Sequence, residues 1–582
     1  MREIRTVVDL VDRMAEAPPD HALVLVDARG RRVRFPWAEL HRKVRLHAAW
    51  LAAQGIRRGD RVICCPTNDP DVVASFLGLF YLGAIPLSVS GAQLGQAPGS
   101  QLPFVADLLH RTGARGVFTQ GELVSGNDER QLLAPDALVD FVPSSLDLDE
   151  EPPPVERALP RVEELAFVQF SSGSTSRPKG VRITHENAIH NVRLLVEVGR
   201  RRPDETAATW LPLYHDMGLL ATFLCSLWHC PREMVIMNPI RFLMKPVSWL
   251  EEITRIGGRV SICPNFALDL CTDRIAEQQL VERGIDLSSL EMLFVGAEPV
   301  RPASLRGFQE RFRRFGLGER VLYPVYGLAE ATLVVTAPGF GEPIVTREVD
   351  GIEVPAVGRP LGDFRVRIVR EDGSDAAPGE IGEIWLRGTS VTAGYLDEEE
   401  NRRLFRDGWL KTGDLGTLDG EGRLYVTGRL KDLIIINGKN YYAHDIVAEL
   451  EQLPFVEKGK VHVFSVECEG REQMIVLTVP LKKLTPAVRA KIRVFQEFMK
   501  RGGPRGWLRK MDTDDLEKWF ERLISTDRSE LINEIKRYVL ARFGVPVHDV
   551  LFVPKIPRTT SGKVKRDACE RIWLEKREAG PG

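Results

Sequence analysis

Apolar positions near the N-terminus alternate between two periods. Helical spacing occurs in the first twenty residues and recurs over Trp37–Gly55 and Asp71–Leu82, whereas the short apolar runs between these stretches are typical of strands. Strand followed by helix predicts parallel α/β units. The other predicted elements are a hairpin of 22–27 and 32–35, strands 59–65, 83–89 and 116–118, and helix 104–112.

The pattern changes near residue 350. Short β-rich segments then dominate, namely Phe364–Val369, Gly382–Arg387 and Arg423–Thr427, and Gly and Asp-Gly turns separate them. They predict a small barrel or sheet. Because 582 residues exceed what one hydrophobic core usually supports, we expect at least two domains.

Composition excludes several classes of protein. A formal net charge of −2 gives no global signal for binding nucleic acid. Eight cysteines without CxxC pairs argue against a zinc site and against a disulfide scaffold. The N-terminal stretch has Asp and Arg among its apolar residues, unlike a signal peptide, and no apolar run of about eighteen residues occurs. We therefore expect a cytoplasmic protein without a membrane span.

The segment Phe170–Gly180 is the strongest candidate for binding an anion. It follows the apolar run Leu165–Phe170 and contains five Ser/Thr hydroxyls, two glycines and the cations Arg177 and Lys179. Glycines let backbone N–H groups turn toward one guest, and hydroxyls and Lys179 add donors, so this composition suits a polyphosphate. No Walker A pattern fits the segment. A flexible Ser/Gly surface loop is the alternative.

Trp210, Tyr214 and His215 lie within the string WLPLYHDMGL and predict a bulky wall for an apolar or planar guest. A core turn with a hydrogen-bonded His215 is the alternative. For Asp216 we consider two roles, pairing with a substrate amine or capping the following helix.

Two later stretches, 292–298 and 323–330, are each predicted to be a strand that ends in a turn. We expect the turn of the second stretch to lead into a helix. Both turns place polar groups at the C-terminal ends of strands, and open α/β sheets bind their ligands at those ends. Asp414 and Arg429, which follow glycine-containing turns in the β-rich region, suit a ribose diol or a phosphate, although each alone is typical of a turn.

The order of these motifs resembles that of the adenylate-forming enzymes, which include acyl-CoA synthetases, amino-acid adenylation domains and luciferases. The resemblance is carried by SSGSTSRPKG, GAE, YGLAE, GWLKTGD, TGRLKD and PRTTSGKVKR, and it runs from about Leu23 to Arg566. Within that superfamily, WLPLYHDMGLL, CPNFALDLC, FVGAEPVRPASL and GRLKDLIIINGKNYYAHDI look most like the fatty acyl-AMP ligases. Those enzymes make acyl adenylates and pass the acyl group to an acyl carrier protein.

The resemblance implies a role for each matching residue and implies ATP and Mg²⁺ as cofactors. Glu330, Lys563 and His215 are the implied catalytic residues, and Glu330 with Thr175 would hold Mg²⁺. Asp414 and Arg429 would bind the ribose, and Lys431 would be the hinge of a mobile C-terminal domain. The β- and γ-phosphates would be held by Ser171, Ser172, Gly173, Ser174, Thr175 and Lys179, and the adenine would lie among Gly296, Ala297, Glu298, Tyr326 and Gly327.

The implied fold is α/β with a large and a small domain. Residues 1–430 would form the adenylation domain, with two mostly parallel sheets and a β-barrel-like subdomain over 350–430. Residues 431–582 would form a smaller mobile α+β domain. About seventy residues separate its strands near 479 and 549, and apolar residues at helical spacing over 486–523 predict an inserted helical hairpin. The hairpin is a dock for an acidic carrier protein or, alternatively, a solvated appendage or a dimer contact.

The predicted function is activation of a carboxylic acid, expected to be a fatty acid, to acyl-AMP, followed by transfer to an acyl carrier protein in trans. No carrier-domain serine motif occurs in the chain. CoA remains an alternative acceptor, because the insertion that fatty acyl-AMP ligases usually carry is missing between Leu333 and Val357. Amino-acid adenylation and a non-catalytic binding protein are further alternatives. The predicted acyl pocket comprises Trp210, Asp216, Met217, Met234, Phe266 and Phe294.

Overall fold

The structure is a computed structural model. It describes residues 3–89, 102–119, 138–141, 153–170, 179–349, 352–436, 439–453, 455–468, 471–480, 528–558 and 564–578. The predicted phosphate loop up to residue 178, Lys563 and the predicted hairpin 486–523 lie outside these ranges. The chain divides into two compact units, and the division falls between Thr427 and Gly428.

Helices of the first unit begin at residues that satisfy their free N–H groups. The α1 helix begins after Thr6, whose hydroxyl accepts from the backbone of Asp9, and the α3 helix begins after Asp69, which caps Val72. The helices are α1 (Val7–Arg13), α2 (Trp37–Ala53), α3 (Pro70–Leu82), α4 (Leu102–Thr112), α5 (His185–Val198), the π-helix Met217–Leu224, α6 (Cys225–His229), α7 (Pro239–Met244), α8 (Val247–Ile256), α9 (Asn265–Arg274), α10 (Glu277–Glu282), α11 (Pro302–Phe312) and α12 (Glu398–Leu404).

Strands of the first unit are short and mostly apolar. In chain order they are β1 (Ala22–Val26), β2 (Arg32–Pro36), β3 (Arg61–Cys64), β4 (Ile85–Ser88), β5 (Gly116–Thr119), β6 (Leu138–Phe141), β7 (Leu165–Phe170), β8 (Gly180–Thr184), β9 (Thr206–Thr209), β10 (Glu233–Met237), β11 (Val260–Pro264), β12 (Met292–Gly296), β13 (Leu322–Pro324), β14 (Tyr326–Gly327), β15 (Val334–Ala337), β16 (Thr346–Val349), β17 (Ile352–Pro355), β18 (Arg359–Pro360), β19 (Arg365–Val369), β20 (Gly382–Arg387), β21 (Phe405–Arg406), β22 (Trp409–Leu418) and β23 (Leu424–Arg429), the last of which crosses the division.

Two mostly parallel sheets confirm the predicted α/β class. One has the strand order β13-β12-β11-β9-β10-β1-β2, and only β1 and β2 pair antiparallel. The other has the order β6-β5-β3-β4-β7-β8, in which only β7 and β8 pair antiparallel. The central strands β1, β9, β11 and β12 are buried on both faces, which explains their unbroken apolar runs, whereas the edge strand β2 is partly exposed.

The β-rich region contains antiparallel pairs. Strands β19, β20, β22 and β21 form one sheet in that order, and β23 adds to β22. Strands β14, β15 and β18 form a second small sheet, and β16 pairs with β17.

The second unit combines a small sheet with helices. Strand β26 (Val461–Cys468) pairs antiparallel with β27 (Arg471–Thr478), and β28 (Val547–Phe552) pairs parallel with β27. Its own core includes Ile446, Val463 and Val539. The remaining elements are the hairpin β24 (Leu433–Ile436) and β25 (Lys439–Tyr442) and the helices α13 (Ala443–Leu450), α14 (Arg528–Phe543) and α15 (Arg566–Glu578).

One predicted element is wrong. The turn after Tyr326 does not lead into a helix but into a 3₁₀ turn, Ala329–Ala331, after which the chain returns as β15. Thr332 ends that turn with a φ of 67° and a ψ of −57°, a conformation outside the helical region that stops helix propagation. No helix of the described residues is long and apolar enough to cross a membrane.

Candidate functional site

The site is built at the carboxyl ends of β12 and β13. Because the two strands are parallel, the turn that follows each of them lies at the same sheet edge, and the backbone N–H of Val325 donates to the carbonyl of Val295 at 2.9 Å. Gly296 ends β12, and a Cβ there would lie 3.1 Å from the carbonyl oxygen of Val325. Ala297 follows with a φ of 65°, a conformation that is strained for a residue with a side chain and that clusters at functional sites.

Tyr326 joins the sheet edge to the β-rich region. Its hydroxyl donates to Asp414 Oδ2 at 2.8 Å, and the Asp414 side chain is almost fully buried. Gly327 packs against the returning chain so closely that a Cβ would lie 1.9 Å from the carbonyl oxygen of Leu333. The predicted adenine-flanking turn and the predicted ribose ligand are therefore adjacent, although 88 residues separate them in the chain.

Glu330 is held from two sides. Its backbone carbonyl accepts from the N–H of Thr392 at 2.8 Å, and its carboxylate Oε1 accepts from the hydroxyl of Tyr395 at 2.6 Å. Burial, followed by the negative charge of Glu330, raises the pKa of Tyr395, so that this hydroxyl stays protonated and remains a donor.

Lys179 lies close to the Tyr395 side chain that binds Glu330. Its ammonium group is 5.0 Å from the centre of the Tyr395 ring and forms an ion pair with Glu400 at the start of α12. Strand β8 and the segment around Tyr395 are also joined through their backbones, since Val181 and Tyr395 form an antiparallel bridge. Lys179, Tyr395 and Glu330 thus form one contiguous polar group.

Glu298 and Asp216 both satisfy backbone N–H groups. The carboxylate of Glu298 accepts from the backbone N–H of Phe266 at the start of α9. Asp216 Oδ1 accepts from the N–H of Met217 at 2.7 Å, which is the capping role, and lies 2.6 Å from Nδ1 of His215. The structure therefore places His215 beside a carboxylate that also begins the π-helix.

Besides Asp216, the five other predicted pocket residues separate into two groups. Met234 and Phe294 line a small cavity with an accessible volume of about 20 Å³. Trp210 instead packs in an aromatic cluster, stacked on Phe242 with ring centres 3.9 Å apart and edge-on to Phe266. Met217 is buried in the same hydrophobic core.

Two predicted residues belong to the second unit. Arg429 ends β23 with an exposed side chain, and Lys431 is exposed in the 3₁₀ turn Leu430–Asp432. Val564, the residue after Lys563, forms an antiparallel bridge with Arg558.

Comparison with known proteins decides the family. Residues 11–396 match the AMP-binding enzymes. The chain belongs to that family. The long-chain-fatty-acid–AMP ligase FadD32 of Mycobacterium marinum is 32% identical over 93% of this chain and 89% of its own length. The medium-chain-fatty-acid–[acyl-carrier-protein] ligase JamA of Moorena producens is 28% identical over 93% and 90% of the two chains.

Solved structures agree. The fatty acyl-adenylate ligase from L. pneumophila, in complex with acyl adenylate and pyrophosphate, is similar with a TM-score of 0.65 and 28% identity over 98% of this chain and 96% of that one. A chain from work on fatty acyl-adenylate ligases from E. coli and L. pneumophila reaches a TM-score of 0.80 at 26% identity, covering 100% and 99%. The predicted resemblance to fatty acyl-AMP ligases is confirmed.

The described residues of this AMP-binding enzyme suit the nucleotide and the cation that its family implies. Glu330 presents a partly exposed carboxylate, the ligand type that Mg²⁺ prefers beside phosphate oxygens. Asp414 lies next to the Tyr326 turn, where a carboxylate accepts hydrogen bonds from a diol. Among the described residues no cluster of three or more His, Cys, Asp or Glu side chains could hold a metal by itself.

Sequence reasoning missed Tyr395 and Glu400. Both lie in the stretch Gly394–Glu400, which reads as an ordinary turn followed by an acidic helix start. The signal that was available is the Gly-Tyr pair between two β-rich segments, since a tyrosine after a glycine turn suits a buried hydrogen bond to a carboxylate.

Proposed function

We propose that this AMP-binding enzyme is a cytoplasmic ligase that activates a medium- or long-chain fatty acid with Mg·ATP and transfers the acyl group to the phosphopantetheine thiol of an acyl carrier protein. The observation that carries the proposal is the pair Tyr326–Asp414 beside Glu330 at the carboxyl edge of the sheet. Eight free cysteines, seven of them buried, fit a reducing compartment.

The first step joins the substrate carboxylate to the α-phosphorus. A carboxylate oxygen forms the new bond to phosphorus as the bond to the pyrophosphate oxygen breaks, so that acyl-AMP and pyrophosphate result. Bound Mg·ATP supplies the electrophilic phosphorus and the leaving group. Glu330 would hold the cation, Lys179 would neutralise the departing phosphates, and Asp414 would fix the ribose, which is the positioning and charge stabilisation that phosphoryl-type transfers need.

The second step releases AMP. The thiol sulfur attacks the acyl carbon, the bond to the phosphate oxygen breaks, and the thiol loses its proton. JamA and the FadD32 ligases support a fatty acid as substrate, and the name of JamA supports a carrier protein as acceptor. CoA is the alternative acceptor.

Pyrophosphate exchange with a panel of carboxylic acids tests the first step. We expect exchange with fatty acids and little with amino acids, because Asp216 is engaged as a helix cap. Exchange with no acid would indicate a binding protein without activity and would refute the proposal. Adding CoA or a phosphopantetheinylated carrier protein then identifies the acceptor from the thioester formed.

The variant Lys563→Ala sharpens this test. If Lys563 stabilises the charge that develops on the bridging oxygen, its loss should lower the exchange rate by roughly 10²- to 10³-fold. Lys565→Ala is the matched control, because it removes a cation two residues away whose backbone N–H donates to Pro557. Equal losses in both variants would indicate a general effect of the basic segment and would contradict the assigned role.

A further inference from the structure

The internal cavity that Met234 and Phe294 line has a charged side chain in its wall. It lies against β9, with Ala207 and Thr209 contributing from the strand and Thr222 from the π-helix. Among its polar residues, Arg201 is the one that carries a full charge.

Other polar groups of the cavity wall are satisfied by the protein itself. The hydroxyl of Ser261 donates to the carbonyl of Ala208 at 2.6 Å, and the hydroxyl of Thr222 donates to the carbonyl of Gly218. Thr209 accepts from the backbone N–H of Leu211 at 3.1 Å. These groups therefore have little need of a ligand.

Arg201 is different. Its side chain is only 7% exposed, and its Nη2 is buried with no hydrogen-bond partner within the described part of the chain. Its Nε faces Glu205 in an ion pair. A buried guanidinium donor without an acceptor is unfavourable, so it is expected to find a partner when the cavity is filled.

The carboxylates around Arg201 do not satisfy all of its N–H donors. Glu205, which is 2% exposed, is shared with Arg259, whose Nη1 lies 2.9 Å from it. Arg259 also contacts the more exposed Glu291 at 2.9 Å. One fully buried carboxylate thus serves two buried guanidinium groups, and His229 nearby has its pKa lowered by burial and by Arg201, which keeps it neutral.

Arg201 lies at the end of the cavity lining that is remote from the nucleotide edge. Arg201 precedes β9 and therefore lies toward the amino ends of the parallel strands, whereas Gly296 and Glu298 follow the carboxyl end of β12. The three residue steps along β9 span roughly 10 Å. An acyl chain whose carboxyl group is at the nucleotide edge would extend along this strand and bring its far end toward Arg201.

We propose that this small cavity receives the oxygen-bearing distal end of an acyl chain, and that Arg201 donates a hydrogen bond to that oxygen. The proposal rests on the proposed activation of a fatty acid. A hydroxyl, a keto group and a second carboxylate share the required acceptor oxygen. An unsubstituted chain would cover the buried Nη2 with methylene groups and leave it without a partner, which disfavours that chain.

Length-matched acids test the proposal in the wild-type protein. Pyrophosphate exchange is measured with octanoic, decanoic, dodecanoic and tetradecanoic acids and with the ω-hydroxy acid, the (ω−1)-keto acid and the dicarboxylic acid of each length. At the best length we expect an oxygenated acid to exceed the plain acid at least tenfold in kcat/KM. Plain acids that equal or exceed their oxygenated counterparts at every length would overturn the inference while leaving the ligase assignment intact. Exchange with no acid would overturn both.

The variant Arg201→Met assigns the preference to this side chain. It should bring the ratio between oxygenated and plain acids close to one while activity on the plain acid is retained, because methionine fills the space without a donor. Arg202→Met is the matched control, since Arg202 is 53% exposed and pairs with Glu291 at the surface. A wild-type ratio in Arg201→Met would refute the role of Arg201. If that variant unfolds, Arg201→Leu, which also lacks a donor and leaves Glu205 paired with Arg259, is measured in its place, and the same ratio decides.

Discussion

The hydroxyl of Tyr395 donates a 2.6 Å hydrogen bond to Oε1 of Glu330, although 65 residues separate the two in the chain. The contact fixes the orientation of the carboxylate that we expect to bind Mg²⁺. Groups that orient a metal ligand influence metal affinity without touching the metal.

Tyr395→Phe should weaken the response to Mg²⁺. The variant loses the donor to Glu330, and we expect the Mg²⁺ concentration for half-maximal pyrophosphate exchange to rise roughly tenfold, with a loss of about 1 kcal/mol in the free energy of unfolding. Tyr425→Phe is the control, because Tyr425 also donates to a carboxylate, Asp419 Oδ2 at 3.0 Å, away from the site. A similar Mg²⁺ dependence in both variants would contradict the role of Tyr395.

Glu400→Gln should strengthen nucleotide binding. Lys179 pairs with Glu400, and a phosphate must compete with that carboxylate for the ammonium group. Because both side chains are partly exposed, the pair contributes up to about 1 kcal/mol, so the Kd for Mg·ATP from calorimetry should fall by roughly two- to fivefold.

Glu399→Gln provides the comparison for that measurement. Glu399 lies on the same helix and is exposed, so the variant Glu399→Gln removes an equal charge without freeing Lys179. An equal fall in Kd for the two variants would assign the effect to long-range charge and would refute the competition.

Lys431→Pro tests the predicted hinge. Proline restricts the backbone rotation on which the two half-reactions are expected to depend. We expect the rate of pyrophosphate exchange to change less than about twofold and the rate of thioester formation to fall by about tenfold or more. Lys431→Ala, which removes the charge but keeps the rotation, should leave both rates near wild type. Equal loss of both half-reactions in the proline variant would contradict the hinge.

Asp445 predicts a pH dependence of stability in the second unit. Burial, and then the charge of Glu449, raises the pKa of Asp445 from 3.8 to about 7, and its Oδ2 has no hydrogen-bond partner within the described residues. Between about pH 4 and 7 the native state keeps a proton that the unfolded chain has released. The free energy of unfolding should therefore fall as pH rises through this window and level off above it.

Urea denaturation from pH 4.5 to 8 measures this dependence. Asp445→Asn should flatten it, because the amide does not titrate. Asp432→Asn, which changes a half-exposed carboxylate of the same unit, should retain it. A slope in Asp445→Asn as steep as in the wild type would exclude Asp445 as its origin.

Much of the fold follows from local patterns. The strand Leu165–Phe170 and the helix ending at Leu82 are as predicted, because continuous apolar runs and a capped helical period are local signals. The 3₁₀ turn after Tyr326 was not predictable in this way. It depends on the positive φ of Thr332 and on the pairing of β14 with β15, which brings together residues whose contact no local period encodes.

The site was predicted in part for the same reason. Ordered motifs predict Asp414, Glu330 and Tyr326 as site residues, but spacing cannot reveal that Tyr326 donates to Asp414 or that Tyr395 donates to Glu330. Arg201 was missed because RRRPDE reads as an exposed charged run, and charged residues are usually solvated. Its burial results from the fold, which places it beneath the cavity beside Glu205.

The π-helix Met217–Leu224 has a consequence for how such a pocket can diversify. A π-helical turn holds one more residue than the α-helical turn it replaces, while the helix that follows keeps its orientation. Deleting one residue there would narrow the wall that Ala221 and Thr222 form and leave the face of Cys225–His229 unchanged. Under the proposed assignment of this cavity to the end of the acyl chain, single-residue insertions and deletions at this position would change chain preference without any substitution in the sheet.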